Sequence, residues 1–227
     1  MRKRKATQVP PALPKEVAEI VRFVRHTNEF GNVMRLIWRP GSPDGEAGRE
    51  RNDSHTCQLM DVVWFVQQRF LPHLDLLKVW KYAMVHDKPE TYAGDTPAFP
   101  DKNGAYVALD RNGKKERERI ATLQLKKEWG ESFPDFLSCL EDYERQNDEE
   151  SRFVYALDKF LSDLNIYEDN GRTNLQLGIT RDEQRAYKRP RIAQHPFVLE
   201  LYDQWMACCE KEPDLFFSST EIPKVAE

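Results

Sequence analysis

Residues 78–97 read KVWKYAMVHDKPETYAGDTP, and this stretch decides the fold. Leu76, Leu77, Trp80, Met84 and Val85 recur at helical spacing, which predicts a helix over about 73–92. That helix carries His86 and Asp87, side by side, at the end of an apolar run. A buried carboxylate is costly without an opposite charge, and an imidazole with a carboxylate is a common ligand mix for a divalent cation. A lone His-Asp pair is more often a surface or capping pair, so the reading depends on what else the chain supplies. On a continuous helix Glu90 lies four after His86 and three after Asp87, on their face.

Upstream, Leu59, Val62, Val63, Val66 and Phe70 mark a helix from about His55 to Leu71, so His55 opens it. The segment before it, RPGSPDGEAGRERNDS (39–54), is rich in Gly, Pro and charge and reads as a loop. Further up, Val17, Ile20, Val21 and Val24 form an apolar stripe on a helix beginning at Lys15, and residues 1–14 read as a flexible arm. Downstream, 94–104 read as a loop, 113–130 as a highly charged surface helix, and Pro134 opens a short helix through Tyr143. In DEESRFVYALDKFLSDL (148–164), Phe153, Val154, Leu157, Phe160, Leu161 and Leu164 make a buried helix. Asp158 sits among them, so its carboxylate is directed inward, where an unpaired acid is penalised. Residues 180–189 are helix-prone, and a last helix runs from His195–Pro196 to about Lys211 with Phe197, Leu201, Trp205 and Met206 on its apolar side. No alternating strand pattern of useful length and no βαβ rhythm appear. The expected fold is all-α, one helical bundle over 15–211, with a loose tail at 212–227.

The chain has 227 residues, enough for one substantial core, with 40% hydrophobic and 32% charged residues. A net charge of −4 argues against a partner that is a nucleic-acid polymer, which needs a basic stripe. It leaves room for a small phosphorylated molecule. Cys57, Cys139, Cys208 and Cys209 show no CxxC spacing, so a disulfide framework and a zinc knuckle are both disfavoured and a reducing cytoplasm fits. No apolar run approaches membrane-spanning length and the basic start lacks a signal-peptide core, so no membrane partner is expected.

The set His55, His86–Asp87 and Asp158 resembles the H…HD…D signature of HD-domain phosphohydrolases. The likeness extends to one branch, the small 5′-deoxynucleotidases, whose HDxxExxxGDxP motif is filled at every specified position by HDKPETYAGDTP. Glu50, five before His55, the segment RFVYALD and the late HPFVLELYDQW are also similar to that branch, so the likeness spans roughly residues 30–205. The chain departs from it at Ser54, where the branch carries an acid, and in a longer loop between Arg39 and Glu50.

The resemblance implies an HD-type bundle with one divalent metal (Mn, Co, Zn, Fe or Mg) on His55, His86, Asp87 and Asp158. It implies acid–base work by Glu90, with Asp95 as a second catalytic or sugar-contacting acid. It assigns Arg35 to the 5′-phosphate and lets Trp38 and Arg39 border the sugar and base, with Lys102 near a position where relatives keep a lysine. Blander readings stand beside these. Asp158 pairs with Arg152 or Lys159, Trp38 and Trp80 are core aromatics, and His26, His73 and His195 have no catalytic part. The expected reaction converts a deoxynucleoside 5′-monophosphate to deoxynucleoside and phosphate, since few cations beyond Arg35, Arg39 and Lys102 stand out. A dNTP triphosphohydrolase and a non-catalytic nucleotide-sensing module are the alternatives. A homodimer is expected, from the apolar load of the late helices and from related enzymes.

Overall fold

A computed structural model describes residues 13–99 and 113–218. Its elements are α1 (Lys15–Gly31), β1 (Met34–Trp38), β2 (Arg49–Arg51), α2 (Asn52–Phe70), α3 (Leu76–Val85), α4 (Glu90–Ala93), α5 (Lys114–Trp129), α6 (Pro134–Arg145), α7 (Glu149–Glu168), α8 (Arg172–Leu177), α9 (Arg181–Ile192) and α10 (Pro196–Cys209). The all-α expectation holds.

Helix α7 is the axis. Asp148 caps it by accepting from the Ser151 amide (2.7 Å), and apolar residues on most of its circumference, such as Phe153, Val154, Leu157 and Leu161, are buried. A helix apolar nearly all round belongs in the middle of a bundle. It packs against α2, α3, α6, α9 and α10. Leu59 and Val63 of α2, Val79 and Ala83 of α3 and Tyr202 of α10 complete the same core.

Two departures from the sequence reading shape the site. The first is a two-stranded antiparallel sheet, with Met34 opposite Arg51 and Trp38 opposite Arg49. β2 is a polar triplet inside a Gly/Pro-rich stretch, so periodicity alone assigns it to a loop. The second is the end of α3. The predicted 73–92 helix stops at Val85, because Pro89 has no N–H to return to the Val85 carbonyl. Lys88 N–H takes that carbonyl instead (3.0 Å), Glu90 N–H bonds the Asp87 carbonyl (2.9 Å), and a separate turn, α4, begins. Gly94, at φ +70°, closes it, in a conformation that favours glycine. His86, Asp87 and Glu90 therefore do not share one continuous helical face.

Three smaller corrections follow. The α1 stripe of Val17, Ile20, Val21 and Val24 is exposed, and α1 docks through His26 and Phe30. Phe197, Leu201 and Trp205 pack against the core and do not form an open face. The described part of the tail is anchored, since Leu215 and Phe216 bury against Cys209 and Phe217 N–H bonds the Ile179 carbonyl (3.0 Å).

Candidate metal centre and its cavity

Four donor atoms converge from three helical segments. His55 lies in the first turn of α2, fully buried, with Nε2 2.9 Å from Asp158 Oδ1. His86, at the end of α3, donates from Nδ1 to the Ala83 carbonyl (2.8 Å), which turns Nε2 toward the cluster. That Nε2 is buried, has no hydrogen-bond partner, and lies 3.0 Å from Asp87 Oδ2 and 3.7 Å from Asp158 Oδ1. Asp87 Oδ2 is also 3.9 Å from His55 Nε2. Donors on a metal with bonds near 2.1 Å are separated by about 3.0–3.4 Å, so these spacings suit a divalent cation. Donor atoms of His55, His86 and Asp158 all lie within 4.8 Å of one another. The donor chemistry, two imidazoles and two carboxylates, fits the same ion class.

A surrounding ring holds the donors in place. Arg35 Nη1 bonds Asp87 Oδ2 (2.7 Å), and its Nε meets Glu50 Oε2 (3.0 Å). Glu50 Oε2 approaches His55 Nδ1 at 3.5 Å, and Glu50 Oε1 accepts from Asn165 (3.2 Å). Glu50 thus orients the first histidine although Ser54 precedes it. Lys159 Nζ grips Asp158 Oδ2 at 2.5 Å. The bland pairing of Asp158 with Lys159 is therefore real, but it occupies only one oxygen and leaves Oδ1 facing the histidines. Burial alone would raise the Asp158 carboxyl, but Lys159 and the two imidazoles outweigh it and hold the pKa well below the ordinary range.

Glu90 is buried on the same cavity, with Oε2 accepting from Asn52 Nδ2 (2.8 Å). Burial first, then the charges of Asp87 and Asp95, push its pKa well above the usual carboxyl value. Asp95 is raised too, by burial and by Asp87, against the pull of Arg35. The structure brings Arg35, His86, Asp87, Glu90, Asp95 and Asp158 onto one cavity of about 940 Å³.

Trp38 and Arg39 are not among its lining residues. The Trp38 ring lies between the Arg49 and Arg172 guanidinium groups (4.7 and 3.8 Å) and its Nε1 donates to Gln176 (2.6 Å). Arg39 donates to the Ala47 carbonyl (2.9 Å). Leu36 and Ile37 take the place beside Arg35 instead. Lys102 lies outside the described residues. Cavity residues to which the sequence reading gave no site role include Tyr143, Lys159 and Lys188. Lys159 was legible only as the neighbour of a buried acid. Lys188 sat in a polar helix with nothing to mark it as buried.

Fold and site together define a helical domain built round a buried histidine–aspartate cluster. The chain belongs to the HD-domain family, whose model matches residues 34–197. The fold is shared with a predicted metal-dependent phosphohydrolase from Magnetospirillum magnetotacticum MS-1, at 21% identity, a TM-score of 0.71, and coverage of 91% of this chain and 100% of that one. It is shared more distantly with a conserved hypothetical protein from Pyrococcus furiosus, at 16% identity, a TM-score of 0.57, and coverage of 83% and 99%. A protein from Pyrococcus horikoshii OT3 is similar at 14% identity, a TM-score of 0.52, and coverage of 84% and 98%. No curated protein matches the chain. Among the described residues, no helix is long and apolar enough to cross a membrane.

Proposed function

We propose that the protein is a divalent-metal-dependent phosphohydrolase acting on deoxynucleoside 5′-monophosphates. The observation that carries the reading is the donor cluster of His55, His86, Asp87 and Asp158, opening on the same cavity as two raised carboxyls, Glu90 and Asp95. A divalent ion held by those four side chains supplies Lewis acidity toward a phosphoryl oxygen and acidifies water.

The chain's own groups do the rest. Arg35, pinned by Asp87 and Glu50, presents a fixed cation to the phosphate. Raised carboxyl pKa values bring Glu90 and Asp95 toward the pH at which an acid both takes and gives a proton. Glu90, oriented by Asn52, takes the proton of the attacking water, and Asp95 serves the leaving oxygen or the sugar. Leu36 and Ile37 line the cavity beside Arg35, and a 2′-hydroxyl packed on an apolar side chain there would lack a partner, which favours deoxyribose.

The cavity holds more cations than the sequence suggested. Lys114, Arg119, Lys126, Lys159 and Lys188 are each tied to an acid. Lys115 and Arg191 have no acidic partner among the described residues, and they are what favours the second reading, a dNTP triphosphohydrolase. The discriminating experiment compares kcat/KM for dAMP, AMP and dATP under one metal and identifies the released anion. dAMP with free phosphate is expected. Triphosphate released from dATP at a tenfold higher efficiency installs the second reading. A homodimer is part of the proposal, and light scattering that gives the 26.7 kDa of one chain counts against it.

A further inference from the structure

Tyr143 stands in the cavity wall on α6, only 6% exposed. Its ring meets His86 edge-on, with centroids 6.2 Å apart at 76°. Tyr82, nearby, donates to Asp148 (2.8 Å). No described group takes the Tyr143 hydroxyl proton, although the residue lines the cavity beside a cluster of metal-ligand type. A buried phenol ordinarily finds a partner.

Lys159, on the adjoining α7, lines the same cavity and holds Asp158 Oδ2.

We propose that Tyr143 donates a hydrogen bond to a non-bridging phosphoryl oxygen of the substrate. The inference rests on the phosphohydrolase reading and adds a neutral donor to the charged set. Such a donor stabilises charge that grows on the phosphoryl oxygens, without adding a cation that would trap the phosphate product.

Tyr143→Phe removes one oxygen and keeps the ring packing. The full chain loaded with Mn²⁺ is titrated with inorganic phosphate, then assayed on dAMP and on its 5′-phosphorothioate. The variant is expected to bind phosphate about tenfold more weakly and to lose about tenfold to hundredfold in kcat, with a smaller change in KM. Manganese content and melting temperature are expected to match the parent. The loss should shrink on the phosphorothioate, because sulfur is a poor hydrogen-bond acceptor. Phosphate affinity and kcat both within about twofold of the parent would overturn the donor role. So would loss of manganese or of thermal stability large enough to explain the kinetics. If the parent hydrolyses no deoxynucleotide, the substrate reading fails, and the phosphate titration alone then decides for or against Tyr143.

Discussion

Lys188→Met is expected to destabilise the fold far more than a surface lysine would. Lys188 and Asp163 are 5% and 0% exposed, with Nζ 3.2 Å from Oδ1. The ammonium also bonds the Lys159 carbonyl (2.9 Å) and the Ser162 hydroxyl. Removing one partner of a buried pair typically costs about 3–5 kcal/mol, because the remaining charge is stranded. At 2–4 °C per kcal/mol for a domain of this size, the melting temperature falls by roughly 6–20 °C.

Burial already raises the Asp163 carboxyl against the pull of Lys188, and without the lysine it rises further. A carboxyl whose folded pKa lies above its unfolded value binds more protons when folded, so stability falls as pH rises through that window. The penalty should therefore be larger at pH 8 than at pH 5. Asp163→Asn with Lys188→Met removes both charges and should recover most of the loss. Urea denaturation of the four proteins in this cycle, at two pH values, measures the coupling. A single variant within about 1 kcal/mol of the parent, or a double variant as unstable as the single, refutes the reasoning.

Asp158→Ala should lose the metal in elemental analysis, because it removes the carboxylate that faces both histidines, and stoichiometric metal in that variant contradicts the centre. Glu90→Gln should keep metal while kcat falls by about 10²-fold, and near-normal turnover rejects its role. Trp38→Phe should cost about 1–2 kcal/mol in stability, through the lost Gln176 bond and weakened cation stacking, and leave KM unchanged; a raised KM would return Trp38 to the substrate. Burial, helped by Lys88, pushes the His26 imidazole down to about 4. The unfolded chain then takes up that proton first, so stability is lost as pH falls from about 6.5 toward 4. His195, also lowered by burial, adds to the same limb. His26→Gln should make the limb shallower, and an unchanged slope removes His26 as a contributor.

The helices were legible because they rest on local patterns, and the donor set was pointed to by the HD resemblance. Apolar spacing in 148–164 marks α7 as buried, and a buried acid such as Asp158 needs a partner wherever the chain goes. What escaped was set by distant contacts. β2 exists because Met34 and Arg51 pair across a loop, which three polar residues do not announce. The resemblance placed Trp38 beside the substrate, whereas the reading of it as a core aromatic holds: the residue is buried, and its ring meets Arg172 and Gln176, more than a hundred residues away. Pro89 was in view, but its effect on the register of Glu90 appears only once the Val85 carbonyl is followed to its actual donor.

The sequence separation of 103 between His55 and Asp158 carries a kinetic consequence. An unfolded chain cannot assemble these donors locally, because each lies on a separate helix and closing that span costs entropy before any contact rewards it. The centre therefore forms late, after α2, α3 and α7 have packed. An ion held there would oppose every opening that parts those helices, so amide exchange in all three would slow together, as one unit, in proportion to ion occupancy.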